Sequence, residues 1–221
     1  MSATPLILGS SSPRRRELLS ALGFTFQIAR PDIDETPRAG ESPLRYVERM
    51  CREKAEAICA DPSIEATAAV LTADTTVVLG EAIIGKPADA PEAEAMLRSL
   101  RGQAHEVYSG VALRNPLTNI IQTQIIRTNV YLRDYSDAEI AAYVLRGEPF
   151  DKAGGYAVQD ATFRPVVRLE GCAPNVMGLP VCAVCGMLLS AGVRGSFDAF
   201  PAAEGCQPHD PTATRCGWRF W

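Results

Sequence analysis

The sequence predicts an α/β fold with a mixed β-sheet, and two observations support that prediction. Short apolar stretches typical of buried strands alternate along the chain with amphipathic stretches that begin at helix-capping residues. In addition, two long strand-like stretches flank the turn signal Asn115-Pro116 and predict a β-hairpin. Strands that alternate with helices indicate the α/β class, and the hairpin adds antiparallel pairing to the sheet.

The first half of the chain contains two clear helix starts. Ser12 before Pro13 is a typical one, because serine caps the unpaired N–H groups of a helix and proline has no N–H to leave unpaired. Ser42 and Pro43 repeat the signal ahead of a long helix. The elements predicted here are a strand at 6–8, a helix from Pro13 to Gly23, a strand at 25–28, a helix at 42–60, strand segments at 70–73 and 76–79 interrupted by Asp74, and a helix at 91–100.

The second half begins with the hairpin and ends with a change of composition. Ser136 and Glu139 form a capping box, in which each side chain bonds the other residue's backbone N–H at a helix start. The elements predicted here are strands at 105–113 and 120–132, a helix at 136–145, a glycine-rich loop at 151–159, a strand at 165–169 and a closing helix at 175–191. The tail is rich in Gly, Pro and Ala, which predicts a domain at 1–194 followed by a poorly ordered extension at 195–221.

The overall composition argues against several functional classes. With 22 basic and 26 acidic residues the net charge is −4, so we expect no nucleic-acid partner, and any anion site has to be local. The chain contains no apolar run long enough to cross a membrane and no signal peptide, which predicts a cytoplasmic protein without a membrane partner. Seven cysteines, an odd number in mostly apolar surroundings, favour reduced thiols over a disulfide framework.

The stretch GSSSPRRRELL at residues 9–19 places three arginines in the first turn of the first predicted helix. Cations are unfavourable at that end of a helix, because the helix dipole makes it positive. The unpaired N–H groups of the first turn, the serine hydroxyls and the arginines would together bind an anion, and phosphate is the leading candidate. The alternative is an ordinary solvated basic turn, which the local sequence leaves equally open.

Two charged residues lie in apolar surroundings. Lys54 falls in the middle of the apolar stripe of the helix at 42–60, so its amine either extends to the surface or faces a cleft and holds an anion. Asp74 is the only charged residue between positions 69 and 79. It is either a satisfied turn residue or a catalytic base or metal ligand at a strand end.

The charged residues indicate a function only when they are considered as a group. Lys86 in a Gly-Lys-Pro turn and Glu35 in an acidic loop are ordinary surface residues when considered singly. The complete set consists of the cations Arg14, Arg15, Lys54 and Lys86 and the carboxylates Glu35 and Asp74. Such a mixture suits phosphoanhydride chemistry, in which positioning and charge neutralisation supply most of the catalysis. The chain has no GxxxxGK[ST] loop, and its two histidines argue against a histidine-based triad.

The motifs taken together resemble the Maf family of nucleotide pyrophosphatases. The strings that carry the resemblance are LILGSSSPRRRELLSALGF, IDETP, REKA, ADTTVVL, IIGKP, HEVYSGVAL, GEPFDKAGGYAVQ and NVMGLP. They occur in this order between Leu6 and Leu189, which is nearly the whole chain except the extension. A set of this size in one order does not arise by chance.

The resemblance implies a fold, a reaction and a set of roles. It implies an elongated mixed sheet in two lobes around a deep cleft, and hydrolysis of nucleoside triphosphates to the monophosphate and pyrophosphate with a divalent cation, Mg²⁺ or Mn²⁺. It also implies a homodimer. Transferred motif by motif, the implied site consists of Asp74 as the catalytic carboxylate, Glu35 as its acidic partner, Glu35 and Asp74 as metal ligands, Lys54 and Lys86 as functional lysines, and Ser10, Arg14 and Arg15 as contacts to the phosphates or the base.

Three positions separate subgroups of this family. A subgroup acting on pyrimidine triphosphates such as dTTP and UTP is similar to this chain, which has Arg14, Thr75 and Gln159 there. A subgroup acting on 7-methyl-GTP has Trp, Gln and Glu at these positions. The resemblance therefore implies a pyrophosphatase for dTTP, UTP and modified pyrimidine nucleotides. Two alternatives stay open: a 7-methyl-GTP-type pyrophosphatase and a non-catalytic nucleotide-binding regulator of cell division.

Overall fold

The computed structural model describes residues 4 to 195, which form a seven-stranded mixed sheet with helices on both faces. The strands are β1 (Leu6–Gly9), β2 (Gln27–Ala29), β3 (Ala69–Leu79), β4 (Ala82–Ile84), β5 (Ala104–Arg114), β6 (Ile121–Leu132) and β7 (Val166–Glu170). Their order is β2-β1-β3-β5-β6-β7, and β4 pairs with β3 as well. β1 runs parallel to β2 and β3, and the other pairings are antiparallel. The predicted α/β class with a mixed sheet is therefore confirmed.

The described part of the chain contains six α-helices, distributed unequally over the two faces of the sheet. They are α1 (Pro13–Ala21), α2 (Pro43–Ala60), α3 (Ala90–Leu100), α4 (Asp137–Leu145), α5 (Ala173–Val176) and α6 (Val181–Ser190). α2 packs on one face, where Val47 contacts Val78 and Tyr108. The opposite face carries two larger apolar cores, one built with α1 and α6 and the other with α3 and α4.

The two faces of β3 carry different residues, because side chains alternate along a strand. Thr72 and Asp74 point toward α2, where Thr72 donates a hydrogen bond to the Cys51 carbonyl at 2.6 Å. Thr75 and Val77 point to the opposite face. Asp74 and Thr75 are therefore neighbours in sequence that lie on opposite sides of the sheet.

One edge of β3 is paired in two pieces with a gap between them. β1 pairs with β3 as far as Thr72, and β4 pairs with it from Val77 onward. Within the described residues, the pairing partners on this edge therefore leave positions 73–76 uncovered. Because β1 runs parallel to β3 and β4 runs antiparallel, the carboxyl ends of both strands point into the gap. The segments 10–12 and 85–86 follow these ends and flank the gap.

Three elements differ from the sequence prediction. β3 runs unbroken through Asp74, since Lys54 pairs with its carboxylate and the strand can bury it. The closing helix predicted at 175–191 is two helices, α5 and α6, because Gly178 adopts a φ of 109° and Pro180 contributes no N–H. The three-residue strand β4 is absent from the prediction, because it is too short to show a periodicity.

The remaining elements lie within a few residues of their predicted bounds. The capping box of α4 is present, with Ser136 and Glu139 bonding each other's backbone N–H. Ser12 occupies the N-cap position of α1, although its hydroxyl makes no capping bond. None of the helices between residues 4 and 195 has the length and apolar character of a membrane span. Residues 196–221, which hold nearly all of the extension predicted at 195–221, lie outside the described residues.

Candidate active site

A lysine that bridges two carboxylates lies at the gap in the edge of β3. Lys54 Nζ is 2.7 Å from Asp74 Oδ1 and 2.8 Å from Glu35 Oε1. Lys54 and Asp74 are buried, whereas the side chain of Glu35 is 60% exposed. Of the two alternatives for Lys54, the structure therefore places its amine against acidic groups and not at the surface.

Helix α2 positions this group by holding the loop that carries Glu35. Tyr46 Oη donates to the Glu35 carbonyl at 3.0 Å. One turn further on, Arg49 bonds both carboxylate oxygens of Glu41 at 2.6 Å and donates to the Thr36 carbonyl at 3.1 Å. Tyr46, Arg49 and Lys54 thus fix the acidic loop on α2 at three successive points.

The surrounding charges keep Glu35 ionised. Partial burial raises the pKa of its carboxyl, but the hydrogen bond and charge of Lys54, with the charges of Lys86 and Arg15, outweigh burial and lower the pKa below its ordinary value. On the same helix, burial raises the pKa of the Tyr46 hydroxyl to about 12, and the charges of Asp74 and Glu35 act in the same direction. Tyr46 therefore remains a neutral hydrogen-bond donor at neutral pH.

Glu35 and Asp74 both contact Lys54 at the gap, and their carboxylates could serve as ligands for a divalent cation. Within residues 4–195, no three His, Cys, Asp or Glu side chains come together as a metal cluster. Mg²⁺ is typically bound by one or two carboxylates, with water and substrate phosphates completing its octahedron. A pair of carboxylates therefore fits an ion that arrives with a nucleotide better than a permanently bound one.

A cavity of 130 Å³ lies on the other face of β3, beside the gap. Its polar part includes Arg14, Lys86 and Lys152, of which Lys152 also pairs with Glu148 and Asp151. Its apolar part is formed by Val77, Val107, Tyr156, Val158, Val176 and Met177. Cations next to an apolar wall suit a ligand that has an anionic chain at one end and a flat ring at the other.

Arg15, predicted as a ligand contact, uses most of its donors inside the protein. Its Nε donates to the Gly178 carbonyl at 2.8 Å, and its Nη1 to the Ala73 carbonyl at 2.7 Å and to Ser10 Oγ at 3.3 Å. Its Nη2 donates to Thr75 Oγ1 at 3.1 Å. Arg15 therefore fills the gap in β3 by satisfying the Ala73 carbonyl, and it joins α1 to β3 and to the turn after α5.

Arg14 and Lys86 differ from Arg15 because their charged groups remain available to a ligand. No hydrogen bond or ion pair joins either side chain to another residue in the part of the chain that the structure describes, and both line the cavity. Ser12 lines it as well and leaves its hydroxyl uncommitted to capping. Ser10 lies deeper, where its Oγ accepts hydrogen bonds from the Ser12 N–H and from Arg15.

Thr75 and Gln159, two of the three positions that separate the subgroups, occupy different surroundings. Thr75 lines the cavity, and its hydroxyl is hydrogen-bonded to Arg15 and to Ser109. Gln159 does not line the cavity, although Val158 next to it does. The buried Gln159 Oε1 has no hydrogen-bond partner among the described residues. Thr75 is therefore placed for contact with a ligand, whereas the structure does not place Gln159 at the cavity.

Several buried polar residues lie behind the cavity, and sequence reasoning missed two of them, Ser109 and Asn175. Ser109 and Asn175 are fully buried, and Asn175 Nδ2 donates to the Val107 carbonyl and to Thr128 Oγ1. His105 Nε2 lies 2.6 Å from the Tyr156 hydroxyl, and Tyr156 lines the cavity. For Ser109 the available signal was a polar residue in a largely apolar strand, and that signal does not reveal the partner of the serine.

Comparison with known proteins agrees with the geometry. Residues 5–191 match the family described as Maf-like protein. The chain belongs to the Maf family.

Proteins named dTTP/UTP pyrophosphatase are similar to it along most of their length. The one from Myxococcus xanthus is 47% identical over 190 residues, which cover 86% of this chain and 94% of the relative. The one from Shewanella oneidensis is 44% identical, covering 85% and 98%, and the one from Pelotomaculum thermopropionicum is 43% identical, covering 85% and 96%.

Proposed function

We propose that this protein hydrolyses dTTP and UTP to the nucleoside monophosphate and pyrophosphate. The observation that carries the proposal is the convergence of the Lys54-bridged carboxylates and of the cationic cavity on one gap in β3. The relatives named dTTP/UTP pyrophosphatase support the choice of substrate. Arg14, Thr75 and Gln159 are the residues that the resemblance associates with pyrimidine substrates.

In the proposed reaction a water oxygen attacks the α-phosphorus, and the bond from that phosphorus to the bridging oxygen breaks. Asp74 accepts the proton of the water, because Lys54 holds one of its carboxylate oxygens and leaves the other available. Lys86 and Arg14 bind the phosphate chain, and pyrophosphate leaves. A bound Mg²⁺ or Mn²⁺, held by Glu35 and Asp74, would neutralise negative charge on the phosphates.

Pyrophosphate release from dTTP, UTP, CTP, 7-methyl-GTP, GTP and ATP tests this proposal. We expect release from dTTP and UTP in the presence of Mg²⁺, and loss of release when EDTA is added. Preference for 7-methyl-GTP would retain the chemistry and overturn the choice of substrate. Nucleotide binding without release would favour the regulatory alternative. A cytoplasmic location, a homodimer and the absence of a nucleic-acid partner stay predictions.

Asp74→Asn tests the catalytic assignment, since it keeps the shape of the side chain and removes its basicity. We expect pyrophosphate release to fall by about 10³-fold or more, with an unchanged circular dichroism spectrum. Asp137→Asn is the matched control, because Asp137 pairs with Arg98 and Arg101 on the surface. Residual activity in Asp74→Asn close to that of the control would show that another group takes the proton.

A further inference from the structure

The floor of the cavity contains a hydroxyl pair that has no role in the proposed reaction. Thr75 on β3 lies directly opposite Ser109 on β5, and Val77 lies opposite Val107 one pair further along the same face. Thr75, Val77 and Val107 line the cavity, whereas Ser109 lies beneath them with no exposed surface. Ser109 therefore does not line the cavity itself, and it acts on a ligand through the residues that it contacts, among which Thr75 lines the cavity.

The hydrogen bonds around Thr75 determine what its hydroxyl can offer. A hydroxyl has one hydrogen to donate and two lone pairs that accept. Arg15 Nη2 can only donate, so it occupies one lone pair of Thr75 Oγ1 at 3.1 Å. Two acceptors compete for the Thr75 hydrogen inside the protein, namely Ser109 Oγ at 2.7 Å and the Gly178 carbonyl at 3.3 Å.

Ser109 decides between these acceptors. Its Oγ lies 3.1 Å from the Asn175 carbonyl, which can only accept. When Ser109 donates to Asn175, Thr75 donates to Ser109 over the shorter distance and keeps one lone pair for a ligand. When Ser109 instead donates to Thr75, both lone pairs of Thr75 are filled and its hydrogen goes to Gly178. In neither arrangement does the hydrogen of Thr75 face the cavity. Only the arrangement in which Ser109 donates to Asn175 gives the Asn175 carbonyl a hydrogen bond from Ser109.

We propose that Ser109 is a positioning residue that, with Arg15, holds Thr75 as a hydrogen-bond acceptor, so that the site selects pyrimidines with a ring N–H. This inference rests on the proposed function and names the feature of the base that the same site recognises. Uracil and thymine carry an N–H at ring position 3 that can donate to Thr75. Cytosine has a lone pair at that position, which would face another lone pair and leave both unpaired.

The first experiment uses the unmodified protein and a chemically altered substrate. Pyrophosphate release is measured from UTP, CTP and 3-methyl-UTP, in which a methyl group replaces the ring hydrogen. We expect kcat/KM for CTP and for 3-methyl-UTP to be lower than for UTP by about 10-fold or more. Hydrolysis of 3-methyl-UTP within about 2-fold of UTP would overturn the inference and leave the proposed function standing. Hydrolysis of none of the three would overturn both.

The second experiment releases Thr75 from its partner. In Ser109→Ala only the longer contact to the Gly178 carbonyl, at 3.3 Å, still holds the hydrogen of Thr75. A cytosine lone pair can compete for that hydrogen, so the ratio of kcat/KM for UTP over CTP should fall by about 5-fold or more. Ser109→Thr keeps the hydroxyl and should keep the ratio.

Thr72→Val is the matched control, because it removes a buried hydroxyl that donates to a carbonyl on the other face of β3. A ratio in Ser109→Ala that equals the control's would overturn the role of Ser109. If the variants fail to fold, the substrate comparison still decides whether a ring N–H is required.

Discussion

The two faces of β3 use different means to hold polar groups in a buried site. Toward α2, Asp74 and Glu35 share one ammonium group, and the interactions are between full charges. On the cavity face, Thr75 and Ser109 form a network of neutral hydroxyls and carbonyls, with Arg15 as its only charged member. Residues adjacent in sequence thus belong to different kinds of polar site.

This difference separates chemistry from recognition. A charged group stabilises charge that develops during a reaction, because a preorganised charge needs no reorganisation at that moment. Neutral hydroxyls and carbonyls in fixed directions discriminate between donors and acceptors, since an unmatched buried polar group costs free energy. The α2 face is suited to hydrolysis, and the cavity face is suited to choosing the base.

The largest effect that would test this division is expected from Lys54→Met. The substitution keeps the length of the side chain and removes the charge between Glu35 and Asp74, which are left to repel each other beside the phosphates. We expect kcat/KM for UTP to fall by about 10²- to 10³-fold, with the ratio of UTP to CTP unchanged. Pyrophosphate release from both nucleotides provides the measurement.

Arg52→Met is the control for Lys54→Met, because Arg52 lies two residues away on α2 and, within residues 4–195, pairs with the partly exposed Glu48 and Thr123. We expect its activity to match that of the unmodified protein. A changed UTP to CTP ratio in Lys54→Met would show that the two faces are coupled, and the proposed division would be wrong.

A second effect distinguishes the faces by pH. His105 lies on the cavity face, and burial lowers the pKa of its imidazole from 6.5 to about 4. The unfolded chain therefore binds a proton at a pH where the folded protein does not, so stability falls as pH decreases from about 6.5 to about 4. The full loss is about 3 kcal/mol in the free energy of unfolding. Urea unfolding at a series of pH values measures it.

His105→Phe should remove most of this pH dependence, whereas Tyr156→Phe, which keeps the histidine and removes its partner, should retain it. Carboxylates contribute in a lower window. The hydrogen bonds of Arg49 lower the pKa of Glu41 to about 2, against burial, so its stabilising effect is lost only below its ordinary value of 4.5. An unchanged slope between pH 6.5 and 4.5 in His105→Phe would show that another group titrates there.

Much of the fold could be predicted from the sequence because its signals are local. The capping box at Ser136 and the Ser-Pro starts of α1 and α2 involve residues within one helical turn. The same locality explains the errors. A lone aspartate predicts a break in β3, since the partner that lets the strand continue, Lys54, is 20 residues away in sequence.

The charged residues of the site could be predicted from the sequence, but the hydrogen bonds that connect its neutral groups could not. Lys54 and Asp74 stand out because a charge in an apolar pattern requires a partner, and each is the partner of the other. Arg15 bonds backbone carbonyls at Ala73 and Gly178, and carbonyls carry no sequence signal. Ser109 is equally hidden, since a serine in a strand becomes informative only when the cross-strand register places it opposite Thr75.

The smallest effect is expected at Arg14, a charged residue that lines the cavity. Arg14→Gln removes a cation that lines the cavity and has no hydrogen bond or ion pair within residues 4–195. We expect KM for UTP to rise by about 10-fold, with kcat and the urea midpoint unchanged, because the contact is made equally in the bound and reacting states. Steady-state kinetics over a range of UTP concentrations provides the measurement. Arg16→Gln, on the same turn but outside the cavity lining, is the control.

Salt separates a charge effect from a geometric one at Arg14. A Coulombic contact with a partly exposed phosphate is screened as ionic strength rises, since the Debye length falls from about 10 Å at 0.1 M to about 3 Å at 1 M. The difference in KM between Arg14→Gln and the unmodified protein should therefore shrink when NaCl is added. A difference that persists at high salt would mean that Arg14 acts through directed hydrogen bonds, as Arg15 does. The whole cavity would then recognise its ligand by hydrogen-bond direction, and the contrast with the charged α2 face would be sharper.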